Sequence, residues 1–142
     1  MEIVKFSRSN LHYFALDTSG SPNSRNLWPI CLKDSAALVC VIDASDRDRI
    51  SVLKSEIAQL LKSEHQNSTP ILFLANKLDL KGALSVEECS MALGLSDRLL
   101  GRDWNIVGTC GVDGSGVEAG FKWLGMALHK ANTRLRATTD RA

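Results

Sequence analysis

The sequence predicts one α/β domain built on a doubly wound, mostly parallel sheet. Two runs, Ala36–Ile42 and Ile71–Ala75, are continuously apolar and rich in β-branched residues. Such runs suit strands buried on both faces, as in a parallel sheet. Between them Ile50, Leu53, Ile57, Leu60 and Leu61 recur at helical spacing, so strands alternate with helices. A chain of 142 residues is the length of one domain.

In chain order, residues 2–8 and 11–17 read as two strands turned at Ser9-Asn10. Residues 18–35 hold Gly20, Pro22 and Pro29 and read as an irregular loop with room for a short helix. After the strand at 36–42, residues 47–64 form an amphipathic helix. Pro70 opens the strand at 71–75. Ser85 and Glu88 make a capping-box pair at the head of a short helix that Gly94 ends. Residues 104–109 form a strand headed by Trp104. Val117, Phe121, Leu124 and Leu128 mark the last helix, through about residue 131. The domain therefore spans residues 1–131, and 132–142 form a polar, fraying tail.

Composition excludes several classes. With 44% hydrophobic and 23% charged residues, disorder over the whole chain is not expected. A net charge of +1 argues against a general nucleic-acid binder. No apolar run reaches membrane-span length, and no secretory leader opens the sequence. Glu2 stands where N-myristoylation needs glycine, so no direct membrane anchor is expected. Cys31, Cys40, Cys89 and Cys110 form no CxxC pair and no histidine sits at ligand spacing, so no metal site is expected and the thiols read as packing residues. Unpaired thiols and no leader point to the cytoplasm. His12, His65 and His129 stand singly in polar surroundings and read as solvated surface.

Ligands of doubly wound sheets bind beyond the carboxyl ends of the strands. Three segments follow the strands there: Asp17-Thr18-Ser19-Gly20, Asn76-Lys77-Leu78-Asp79 and Cys110-Gly111. The second has the most specific chemistry. The Asp79 carboxylate can accept paired hydrogen bonds from the ring N–H and exocyclic amine of guanine, whereas adenine would leave it unpaired. Lys77 can lay its methylene stem over the base while its ammonium stays solvated. Asn76 can tie the loop to nearby backbone, and the amides near Cys110 and Gly111 can meet the guanine carbonyl. The bland alternative for the Asn-Lys-x-Asp string is an ordinary turn at a strand end; its place after ILFLA, with a TCG loop after the next strand, favours the functional reading.

The chain resembles the Arf and Arf-like family of small GTPases in five segments: DTSG at 17–20, RNLW at 25–28, VIDASDRDRI at 41–50, ILFLANKLDL at 71–80 and TCGVDGSGVEAGFKWL at 109–124. The RNLW segment and the serine of DTSG resemble the branch linked to ciliary trafficking and the Bardet–Biedl coat. The resemblance covers about residues 2–130. It implies binding of GTP or GDP with magnesium, protein effectors of trafficking, and recruitment to intracellular membranes or the cilium base. It makes Asp17 and Gly20 vestiges of the magnesium and phosphate contacts. It makes Phe6, Tyr13 and Trp28 candidates for an effector surface, against core packing as the alternative.

The departures from the family are as informative. The phosphate loop G-x-x-x-x-G-K-[ST] is absent, since no Gly-Lys pair occurs in the sequence. The chain starts where the family's second strand would be, so the first strand, phosphate loop, first helix and magnesium-binding threonine have no counterpart. Base contacts alone net about 1–3 kcal/mol each against an association cost of several kcal/mol, so the expected nucleotide affinity is weak or lost. Ser21-Pro22 follows the DTSG glycine, where the family commonly has the glutamine that orients water. No catalytic residue is assigned, and hydrolysis is not expected.

Without the first strand, the strands at 11–16 and 36–42 have unpaired ladders. They can close up and pair, accept a strand from another copy or protein, or leave a marginal domain. The last fits a reading frame begun at an internal methionine. The competing functional class is a nucleotide-free interaction module, with self-association through the unpaired strands. A response-regulator domain is disfavoured because its clustered acids and late lysine are not found.

Overall fold

The computed structural model describes residues 1–63 and 69–141; Glu64 at the expected helix end and His65 lie outside the described residues. Strands β1 (Glu2–Arg8) and β2 (Leu11–Asp17) form an antiparallel hairpin with Phe6 opposite Tyr13. Its two-residue turn holds Ser9 at φ 49° and Asn10 at φ 61°, the left-handed geometry that matches strand twist. The segment expected as loop is more ordered. Pro22–Leu27 is a 3-10 turn and Trp28–Lys33 is helix α1, with a proline in the first turn of each, where no amide is needed.

Strands β3 (Leu38–Asp43), β4 (Ile71–Asn76) and β5 (Trp104–Gly108) form a parallel sheet in the order β3-β4-β5. The central strand β4 is buried from Ile71 to Ala75, which explains its unbroken apolar sequence. On one face Ile42, Ile71, Phe73 and Ala75 pack with Ile50 and Ile57 of α2 (Arg47–Ser63) and Cys89 and Leu93 of α3 (Val86–Leu93). On the other, Leu72 and Leu74 meet Leu124 of α5 (Val117–Thr139). Fully burying a leucine, isoleucine or phenylalanine contributes about 1.5–3 kcal/mol, so these faces carry the fold.

Helix α3 starts with the expected reciprocal cap. The Glu88 amide donates to Ser85 Oγ at 3.1 Å, and the Ser85 amide donates to Glu88 Oε2 at 2.8 Å. Gly94 ends it at φ 64° and leads into the unexpected one-turn helix α4 (Leu95–Arg98), anchored by buried Leu95. Helix α5 does not end near residue 131 but continues through Thr139. No glycine or proline interrupts residues 126–139, and Lys130 and Arg134 both pair with Asp103 at 2.9 and 3.3 Å. The expected fraying tail is helical over that stretch.

The expected sheet is divided in two: among the described residues β2 and β3 do not pair. The hairpin is instead held by α5. Phe6 and Tyr13 stack at 4.9 Å, and Phe121 meets them edge-on at 5.4 and 5.6 Å. Arg8 adds an ion pair to Glu118. With β2 fixed to α5 and β3 fixed to β4, the two strands do not close up. The amides of Leu38 and Ala44 donate toward β4, so the backbone groups of Val39, Val41 and Asp43 face the open edge.

Candidate functional site

The ends of β3, β4 and β5 meet at one edge of the parallel sheet. Asn76 closes β4 beside Asp43, its register partner on β3. The Asn76 side-chain oxygen accepts from Thr109 Oγ1 at 3.1 Å and from the Gly111 amide at 3.0 Å. One side chain therefore binds the loop after β4 to the loop after β5. The Leu78 amide reinforces this by donating to the Thr109 carbonyl at 3.4 Å.

Lys77 adopts φ 66°, a left-handed conformation costly for a side-chain-bearing residue. Its ammonium is not simply solvated: Nζ lies 2.7 Å from Asp43 Oδ2. The other Asp43 oxygen accepts from the amide and hydroxyl of Ser45 at 3.0 and 2.6 Å. The Lys77 and Ser45 hydrogen bonds hold the Asp43 carboxyl down at about 2. Asp79 is exposed on the same loop and, among the described residues, has no hydrogen-bond or ion-pair partner. Lys77, held at its ammonium by Asp43, and the exposed Asp79 thus stand two residues apart on one loop at the end of β4.

The loop after β5 is a compact cradle. The Cys110 amide donates to Ser115 O at 3.1 Å, and the Gly114 amide to Cys110 O at 2.9 Å. Asp113 Oδ1 accepts from the Ser115 amide and hydroxyl at 2.8 and 2.5 Å, bonds that lower its carboxyl pKa. Cys110 is buried. The amides of Cys110 and Gly111, assigned from sequence to the guanine carbonyl, thus both donate within this cluster. Gly116 allows the closure: at φ 78°, a Cβ there would lie 1.9 Å from the Gly108 carbonyl oxygen.

The residues expected to contact magnesium and phosphate form no comparable assembly. Asp17 is exposed at the end of β2, and the Gly20 carbonyl accepts from Arg25 Nε at 3.1 Å. Among the described residues no group of three or more His, Cys, Asp or Glu side chains can hold a metal ion. Asp17 and Gly20 offer one carboxylate and one backbone amide, too few donors to hold magnesium and phosphate by themselves. Ser21 is turned inward on its own loop, its amide donating to Ser19 Oγ and its hydroxyl to Ser24 Oγ, both at 3.1 Å.

Of the effector-surface candidates, Phe6 and Tyr13 spend their rings on Phe121. Half-buried Trp28 donates to Ser19 O at 3.2 Å. The sequence reading missed Asp43, Ser45, Thr109 and Arg25, whose guanidinium also pairs with Glu56 at 2.8 Å. An aspartate closing the apolar strand before ASD was the available signal for Asp43. Burial pushes the Cys40 thiol up to about 12 and raises Cys89, which suits packing and not nucleophilic chemistry.

Residues 1–128 match the family model described as the ADP-ribosylation factor family. ADP-ribosylation factor-like protein 6 of Caenorhabditis elegans is 33% identical over 90% of this chain and 68% of its own length. ADP-ribosylation factor-like protein 1 of Saccharomyces cerevisiae is 36% identical over 86% of this chain and 66% of its own. Among solved structures, the Arl6 BBS3 small GTPase of Trypanosoma brucei, with bound nucleotide analogue GppNp, matches with a TM-score of 0.87 and 29% identity. That match covers 92% of this chain and 80% of the other. The chain belongs to the ADP-ribosylation factor family and has an Arf-like small-GTPase fold. It spans about two thirds of the length of the curated relatives it matches. Among the described residues no helix is long and apolar enough to cross a membrane.

Proposed function

We propose that this polypeptide carries the guanine-recognition half of an Arf-like trafficking switch, with weak nucleotide binding and no hydrolysis by these 142 residues. One observation carries the reading: Asn76 joins the β4 and β5 loops while Asp79 on the same loop stays exposed and, among the described residues, unpaired. Asp79 accepts the two guanine N–H donors, and Lys77 backs the ring. No sequence counterpart of the phosphate loop stands among these residues, and Asp17 and Gly20 do not replace it. Bound GTP or GDP would bring magnesium with its phosphates, for which these residues supply no cradle. Family membership supports protein effectors in the cytoplasm and recruitment to intracellular membranes or the cilium base. The near-zero net charge supports no role on nucleic acid.

Ligand-observed NMR with guanosine monophosphate against adenosine monophosphate tests the reading. The expected result is saturable contact with the guanine nucleotide only, lost in Asp79→Ala. Equal response to both nucleotides, or none to either, would overturn it.

A second reading, an interaction module that works without nucleotide, is favoured by the open β3 edge. Val41 is 62% exposed there, and Phe14 of β2 is 71% exposed. Unpaired apolar edges take up further strands, including those of a second copy. That reading gains if the chain folds and self-associates while guanosine monophosphate produces no response.

A further inference from the structure

The ends of β3 and β4 hold a side-chain relay that the guanine reading does not use. Asp43 and Asn76 are cross-strand partners, and the Ala44 amide donates to the Asn76 carbonyl at 3.0 Å. The first Asp43 oxygen is saturated by the amide and hydroxyl of Ser45. The second faces the next residue on the β4 side and binds Lys77 Nζ at 2.7 Å. The carboxylate is thus oriented by its own turn independently of the lysine.

The pair is half open to solvent, with the Lys77 side chain 50% and the Asp43 side chain 36% exposed. Ion pairs in that setting add little to stability. This one nevertheless fixes the far end of a four-methylene side chain whose backbone is held in a disfavoured conformation. Constraining both ends of Lys77 selects one path for its stem. A platform already ordered binds a flat ligand without the cost of ordering it.

We propose that Asp43, oriented by Ser45, is a positioning residue of the base site: it pins the Lys77 ammonium so that the lysine stem is preformed as the platform for the purine face. The inference rests on the guanine reading of Asn76–Asp79 given above. Asp43 itself touches no ligand. Its effect reaches the base only through Lys77, which distinguishes it from Asp79.

Asp43→Asn tests this with little disturbance, because an asparagine oxygen still accepts from Ser45 while the charge facing Lys77 is gone. The full 142-residue chain is titrated with guanosine monophosphate, followed by amide shifts of Leu78, Asp79 and Gly111. The Lys77 side-chain nitrogen signal reports whether the ammonium is held. The expected result is a binding constant weakened about 3- to 10-fold in Asp43→Asn, on the scale of a lost exposed charge contact. The Lys77 signal should become averaged while the amide spectrum elsewhere is kept. In a Lys77→Ala background the same Asp43→Asn change should have no further effect. Unchanged binding in Asp43→Asn, or an equal loss in the Lys77→Ala background, would overturn the positioning role and leave the guanine reading standing. Absence of any shift in the parent chain would overturn the guanine reading and this proposal with it.

Discussion

The Gly111 amide donates to the Asn76 side-chain oxygen at 3.0 Å, across 35 residues of sequence. The same oxygen accepts from Thr109 Oγ1, so one atom couples the ends of buried β4 and half-buried β5. The candidate site is therefore built into the edge of the hydrophobic core. Asn76→Ala strands two donors, and Thr109 is a buried residue. The expected cost is about 1–3 kcal/mol of stability, read as a lower midpoint in urea denaturation. A midpoint equal to that of the parent chain would show that the junction is not structural.

Gly116 and Gly114 make a matched pair of substitutions. Both have φ near 80°, but only at Gly116 does an added Cβ strike backbone, 1.9 Å from Gly108 O. Gly114→Ala should cost about 1–2 kcal/mol from the left-handed conformation alone. Gly116→Ala should cost several times more, since Gly108 and Thr109 must shift to admit it. Comparable thermal midpoints for the two variants would contradict the packed geometry of this loop.

Tyr13 offers a change in the opposite direction. Its hydroxyl is buried without a hydrogen-bond partner among the described residues. Its ring is useful, stacked on Phe6 and met edge-on by Phe121. Tyr13→Phe keeps the rings and removes the unsatisfied group, so stability should be equal or higher by up to about 1 kcal/mol. A measurable loss of stability would show that the hydroxyl has a partner.

Asp43 gives a pH signature of known sign. Its folded pKa lies below the ordinary value, at about 2 against 3.8. Its stabilisation is therefore complete above pH 3.8 and lost as pH falls through about 2. Because the pair is half exposed, the effect should stay below about 1 kcal/mol. Subtracting the denaturation profile of Asp43→Asn from that of the parent chain isolates it; a flat difference from pH 5 to pH 2 would contradict the assigned partners.

The open β3 edge predicts concentration-dependent self-association. Val39 and Val41 lie on the exposed strand opposite Leu72 and Leu74. A lysine at an edge position discourages strand addition. Val41→Lys should shift light-scattering mass toward the monomer at concentrations where the parent chain is larger. A parent chain that stays monomeric at every concentration would remove the prediction's basis.

Much of this arrangement was legible because it depends on local pattern. The unbroken ILFLA run marked the central strand, and Ser85, Glu88 and Gly94 fixed the ends of α3 through short-range bonds. The Asn-Lys-x-Asp string pointed to the strand end where Asn76 joins the β4 and β5 loops. Other features depend on partners distant in sequence. Arg134 looks like a tail charge until Asp103 lies beside it, so the extension of α5 was missed. The ammonium of Lys77 was expected in solvent because Asp43 lies 34 residues away. The inward use of the Cys110 and Gly111 amides likewise depends on Ser115 and Asn76 and is not written in the TCG string.

Whether the phosphates are held is decided by calorimetry on the 142-residue chain with GTP and magnesium, GTP without magnesium, and guanosine monophosphate. If recognition stops at the base, all three should bind alike, with dissociation constants no tighter than about 1 mM. Submicromolar uptake of GTP that requires magnesium would mean that these residues hold the phosphates after all, and would contradict the account.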